Sequence, residues 1–151
     1  LIEGYEHVTS ALEKRFQLEF FRPHIAILTN LSWTPDTDHP TPDAYYDTFR
    51  NFTTLIEREG KLIYFEGDPA VKQLAEEVRE DITAISYGEH PVIEKDGATF
   101  LQTRYGDFPI HVPDSYFLTN LNAARLACRQ LGVKDADFYR AISEYSVSLQ
   151  P

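Results

Sequence analysis

A chain of 151 residues suits one domain with a single core, and 42% hydrophobic against 25% charged residues is the composition of an ordinary soluble globular protein. The 24 acidic and 14 basic residues leave a net charge of −10, which repels phosphate backbones and anionic bilayers and argues against nucleic-acid and membrane partners. No apolar run approaches the ~20 residues needed to cross a bilayer, no signal peptide is evident, and the lone Cys128 cannot close an internal disulfide; a reducing, cytoplasmic setting fits.

The chain opens on LIEGYEH, apolar first and with no Met anywhere, so it is expected to be a fragment of a longer protein. Its first residues read as a strand, with Glu3 and Glu6 at or just past its end. FRPHIAILTNL carries the apolar run Ile25, Ala26, Ile27, Leu28, the signature of a strand covered on both faces. Thr41 is an N-cap, Pro42 suits the first helical position and Asp43 favours the helix dipole. Tyr45, Phe49, Phe52 and Ile56 then share one helical face, with Gly60 as the stop. KLIYFEG is the next strand, and Asp68-Pro69 starts a helix with Val71, Leu74, Ala75 and Val78 inward. ITAISYG closes the series as another strand.

Strand–helix–strand alternation predicts right-handed crossovers and a mostly parallel sheet with flanking helices. From Pro91 to Pro113 the pieces become short and extended, with turns at Asp96-Gly97 and Tyr105-Gly106-Asp107, which predicts a small antiparallel three-stranded meander. Two helices follow. The first is expected from about Leu118 to Leu131, with Leu118, Leu121, Ala124, Cys128 and Leu131 inward and Gly132 as C-cap. The second starts near Asp135 and buries Phe138, Ile142 and Tyr145. The fold class is therefore α/β.

Chemistry in parallel sheets sits on loops at the C-terminal ends of strands. Here those loops are EGYEH and TNLSWTPDTDH. No GxxxxGK[ST] phosphate loop, GxGxxG, GxSxG or HExxH occurs in the chain. Glu3 and Glu6, with Asp36, Asp38 and His39, could converge from adjacent strand ends on Mg²⁺; equally, the last three could be solvated turn residues ahead of the Thr41 cap. His24, His90 and His111 flank prolines or strand ends and read as structural. Cys128 reads as core filler. Asn120 and Asn122, early in an apolar helix, suit either ligand recognition or local capping.

Several stretches taken together resemble the central domain of the Mur ligases: LIEGYEH, FRPHIAILTNLSW, HPTPDAYYDTFRNF, GKLIYFEGDPAV, ISYG and LTNLNAARLACRQLGV. The resemblance runs through nearly the whole of residues 1–151 and is nearest to the murein-peptide ligase and UDP-N-acetylmuramate–L-alanine ligase branches. It implies a three-domain parent that uses ATP and Mg²⁺ to join UDP-N-acetylmuramate to an amino acid or murein peptide in cell-wall synthesis or recycling. A carboxylate is phosphorylated, then an amine attacks the acyl phosphate. The family's phosphate loop and its N- and C-terminal domains have no counterpart in the chain, so it is expected to be inactive alone.

The family's site motifs match unevenly. The metal-binding Glu of the first motif matches Glu3, but its Asp is replaced by Tyr5. The Asp-His pair after the Trp falls on Thr34 and Pro35 without gaps, and on Asp38 and His39 only with an insertion and a compensating deletion; the ungapped alignment is preferred. The adenine-holding Gly-x-His-Asn-x-x-Asn reads Asp114 to Asn120, and only Asn120 survives. The resemblance thus offers Glu3 for metal, Asn120 for the nucleotide, and Asp38 and His39 as further metal candidates. A degenerate, non-catalytic binding or scaffolding module is the competing expectation.

Overall fold

Backbone pairing in the computed structural model, which describes residues 1–9, 15–111 and 114–148, divides the chain into two units, Leu1–Ser86 and Tyr87–Pro151. The first unit is built on a parallel three-stranded sheet in the order β1-β2-β3, with β1 at Ile25–Leu28, β2 at Lys61–Phe65 and β3 at Thr83–Tyr87. Ala26 pairs with Leu62 and Leu28 with Tyr64, so β1 and β2 run in register over their apolar stretch.

Helix α1, Pro42–Thr54, starts where its residues require: the Thr41 hydroxyl accepts from the Ala44 N–H and Pro42 needs no donor partner there. Tyr45, Phe49, Phe52 and Ile56 are all buried. The helix stops before Gly60, because the Thr53 and Thr54 hydroxyls turn back onto the Arg50 and Asn51 carbonyls and Glu59 adopts φ +60°. Asp68 caps α2, Pro69–Glu76, accepting from Ala70 and Val71. Val71, Leu74 and Ala75 face the same core as Leu62 and Leu18.

The expected opening strand does not form. A strand requires a ladder partner, and residues 1–5 have none; Leu1 and Ile2 lie exposed. Only Val8 bridges across, to Phe16, ahead of a short 3-10 turn at Gln17–Phe20.

The second unit holds an antiparallel meander, β4 at Val92–Lys95, β5 at Ala98–Leu101 and β6 at Phe108–Ile110. Asp96 and Gly97 take φ +52° and +78°, the left-handed pair that a two-residue hairpin demands. Helix α3, Ser115–Gln130, starts three residues before Leu118 because Asp114 caps it by accepting from the Phe117 N–H. Leu118 and Leu121 are buried as expected, and Cys128 packs against their core. Ala124, six residues beyond Leu118, has turned about 240° and is exposed, while Ala123 and Leu126 are buried. Leu131 is the exposed C-cap, where Gly132 at φ +88° lets Val133 and itself donate to Cys128 and Arg129. Helix α4, Asp135–Ser148, buries Phe138 and Tyr139, but Tyr145 is exposed.

His90 is structural, as its place beside Pro91 suggested. It is buried, its Nδ1–H donates to the Pro91 carbonyl at 2.9 Å, and its Nε2 accepts from the Tyr139 hydroxyl at 2.8 Å. Burial holds its pKa below the ordinary 6.5; the Pro91 carbonyl opposes this and the Arg125 charge adds to it. The unfolded chain therefore binds more protons, and stability falls as pH drops from about 6.5 through the lower folded value. In chemical denaturation between pH 7.5 and 5.5, His90→Gln is expected to flatten that fall. An unchanged pH slope would show that His90 does not contribute it.

Candidate metal centre

The loop leaving β1 is pinned at both ends. The Leu31 N–H donates to Asp68 Oδ2 at 2.8 Å, so the carboxylate that caps α2 also holds the start of the loop. The Trp33 indole donates to the His39 carbonyl at 3.0 Å, and Thr41 then begins α1. Between these anchors, Asp36 Oδ1 accepts from the Asp38 and His39 amides at 2.8 and 2.6 Å, a turn that aspartate forms readily. That turn drives His39 inward and leaves it fully buried.

A second segment meets this turn. The Gln17 N–H donates to the His7 carbonyl, the Thr9 N–H donates to the Arg15 carbonyl, and the Val8 N–H donates to Asp38 Oδ2 at 3.2 Å. These bonds set His7 over Asp36. Phe16, on the same segment, stacks on the His39 ring at 5.0 Å, and Tyr45 meets that ring edge-on from α1.

The result is a cluster of His7, Asp36 and His39 with one donor atom from each within 4.8 Å of the others. His7 Nδ1 lies 3.9 Å from Asp36 Oδ2, and His39 Nδ1 lies 3.5 Å from Asp36 Oδ1. The amide of His39 is the main influence holding the Asp36 carboxyl below its ordinary value; partial burial opposes it and the Asp38 amide supports it. Asp36 is thus an anion at neutral pH. Burial, reinforced by the charges of Glu6, Asp36 and Asp68, pushes the Tyr45 phenol up to about 12, so Tyr45 stays neutral beside it.

Of the residues singled out from sequence, Asp36 and His39 are in the cluster. Asp38 stands at its rim, with Oδ2 3.5 Å from His7 Nδ1. Glu3 is exposed and is not among the converging donors, as are Thr34 and Pro35. Asn120 lies half-buried on α3 in the second unit. His7 was the residue missed. Its one signal was its place at the end of EGYEH, a loop already flagged for chemistry, but nothing in the spacing said that Val8 would bridge to Phe16.

The Mg²⁺ implied by the family resemblance does not fit these donors. Mg²⁺ takes oxygen ligands in an octahedral shell with several waters, whereas two imidazoles and one carboxylate suit a borderline transition metal.

A parallel α/β sheet carrying polar loops at its strand ends, followed in the chain by a meander and two helices, is a class of domain that places ligands at those strand ends. The chain belongs to the Mur ligase middle domain family, whose model matches residues 5–128. It is 28% identical over 136 residues to a UDP-N-acetylmuramate–L-alanine ligase of Arthrobacter sp. (strain FB24), covering 83% of this chain and 29% of that protein. It is also 28% identical over 154 residues to the corresponding ligase of Francisella tularensis subsp. tularensis (strain FSC 198), covering 89% of this chain and 33% of that one. The chain thus spans about a third of the length of these relatives. In structure it is similar to the UDP-N-acetylmuramate:L-alanyl-gamma-D-glutamyl-meso-diaminopimelate ligase from Neisseria meningitides, with TM-score 0.73, 18% identity and coverage of 93% of this chain and 46% of that one. A MurF from Acinetobacter baumannii gives TM-score 0.65 at 17% identity, over 93% of this chain and 32% of that one. At such identities the structural likeness establishes the fold.

Proposed function

We propose that the full-length protein carrying this chain is an ATP-dependent amide ligase that joins UDP-N-acetylmuramate to an amino acid or a murein peptide in the cytoplasm. The observation that carries this reading is the family match across residues 5–128, joined to relatives that are themselves UDP-N-acetylmuramate–L-alanine ligases. In the proposed reaction a carboxylate oxygen attacks the γ-phosphorus of ATP and ADP leaves. The amine nitrogen then attacks the acyl-phosphate carbonyl, and inorganic phosphate and a proton depart as the amide forms.

Within that reaction, this chain supplies the scaffold that presents the 29–41 loop at the strand ends, with Asn120 as the proposed contact to adenine. No phosphate-cradling loop occurs in the chain, so it is proposed to be inactive by itself. No step is assigned to a metal at His7, Asp36 and His39.

One observation favours a second reading, a non-catalytic module. Where the family motif opens α3 with Gly-x-His-Asn, Asp114 closes the helix start on itself through the Phe117 N–H at 2.8 Å. Titrating ATP, with its magnesium, into the full-length protein separates the two. The ligase reading expects saturable binding at or below millimolar nucleotide, weakened by Asn120→Ala; folded protein that binds no nucleotide would favour the module.

A further inference from the structure

Hydrogen bonding around His39 leaves one atom unexplained. The Thr48 hydroxyl donates to the Ala44 carbonyl at 3.1 Å, so its lone pair accepts from His39 Nε2–H at 3.2 Å. That places a proton on Nε2; in the neutral ring Nδ1 then carries a lone pair, in a side chain with no solvent exposure and with no hydrogen-bond partner at Nδ1. Nδ1 faces Asp36 Oδ1 at 3.5 Å, and Asp36 is a carboxylate already accepting two backbone amides. With the ring neutral, two acceptors point at each other, in a place where a buried orphan acceptor is costly. A cation between them removes the conflict.

We propose that His7, Asp36 and His39 form a binding site for a divalent transition-metal ion of the zinc, cobalt or nickel type, and that Mg²⁺ does not occupy it. The distances suit such an ion. Bonds of about 2.0–2.1 Å in a tetrahedral shell put neighbouring ligand atoms ~3.3 Å apart. The His7 and His39 Nδ1 atoms stand 3.9 and 3.5 Å from the two different oxygens of Asp36, and one donor atom from each residue lies within 4.8 Å of the others, so binding draws the exposed His7 inward. The surroundings suit it as well. His39 donates its other ring N–H to Thr48, the outer-shell bond that orients a metal-bound imidazole. Asp38, by accepting the Val8 amide, holds the segment that carries His7. His7 is about half exposed and borders an open cleft lined also by Tyr5, Val8, Thr9 and Gln17, which gives an ion its entry and leaves room for water or a ligand atom to complete the shell.

The inference does not depend on the ligase reading, and it is tested on the chelator-treated 151-residue chain without nucleotide. Co²⁺ is titrated at pH 7.5 with its visible d–d absorption as readout, followed by displacement with Zn²⁺ and competition with millimolar Mg²⁺. The expected result is one Co²⁺ per chain, displaced by Zn²⁺ and indifferent to Mg²⁺. Losing an outer-shell partner costs a metal site about 10–100-fold in affinity, so His7→Ala and Asp36→Asn, each losing a ligand, should weaken binding at least ~10-fold. Both positions are solvent-accessible, and asparagine keeps the oxygen that accepts the two loop amides, so circular dichroism should show folded variants. No stoichiometric binding would overturn the proposal and leave a proton on Nδ1 as what reconciles the two acceptors. Binding undiminished in both folded variants, or Mg²⁺ competing on equal terms, would also overturn it.

Discussion

Leu62→Ala is expected to destabilise the first unit by about 2–5 kcal/mol, the range for emptying a buried leucine site. Leu62 has no exposed surface and lies on β2, the middle strand of the β1-β2-β3 sheet, where neighbouring strands limit collapse around a void. It belongs to one buried core cluster with Leu18, Phe52, Val71 and Leu74, drawn from the 3-10 turn and from both helices of the unit. The same strand holds β1 in register, and β1 launches the loop that carries Asp36 and His39. Urea denaturation should show a lowered midpoint with an unchanged slope. A loss below about 1 kcal/mol would mean that the core repacks around the smaller side chain.

Arg125→Ala is the second large effect, at about 3 kcal/mol. Arg125 donates to Asp135 Oδ2 at 3.0 Å and to Asn122 Oδ1 through two nitrogens, and Asn122 in turn donates to the Gly88 carbonyl. The Arg125 and Asp135 side chains are only 16% and 12% exposed, and Asp135 Oδ1 is already buried without a partner. Removing the guanidinium leaves a largely buried carboxylate whose nearest other ion pair is the longer one to Arg129 at 4.0 Å, with the Arg104 charge also felt there. The cost is mainly that uncompensated charge, so Arg125→Met combined with Asp135→Asn should cost clearly less than Arg125→Ala alone. Equal losses in the single and double variants would show that packing, and not charge, is what Arg125 contributes.

Much of this fold was legible because local chemistry and tertiary demand agree. Thr41-Pro42 and Asp68-Pro69 are helix starts by hydrogen-bond logic alone, and both cap as read. The run Ile25–Leu28 could satisfy its apolar faces only inside a sheet, and Asp96-Gly97 supplies the two positive φ angles of a hairpin. What failed depended on partners outside the local window. Leu1 to Tyr5 look like a strand, but a strand is a pairing, and the ladder is missing. Ala124 and Leu131 continue the apolar spacing of Leu118 and Leu121, yet helical rotation and the Schellman end put them in solvent, and Tyr145 is exposed as well.

The candidate site was half legible for the same reason. Asp38 and His39 stood out as polar residues in a strand-end loop, but which of the acidic residues would face the imidazole depended on the Asp36 turn. His7 reaches the cluster through Gln17, Arg15 and Asp38, contacts that no spacing rule encodes. Glu3, offered by the family pattern, stays in solvent.

The most direct test of the functional account is phosphate release by the full-length protein, given ATP with its magnesium, UDP-N-acetylmuramate, and either L-alanine or a murein tripeptide. The account predicts release that requires UDP-N-acetylmuramate and one particular amine, which would also identify the substrate joined. Folded protein that releases no phosphate with either amine would contradict it and leave the domain as a binding module on a ligase fold.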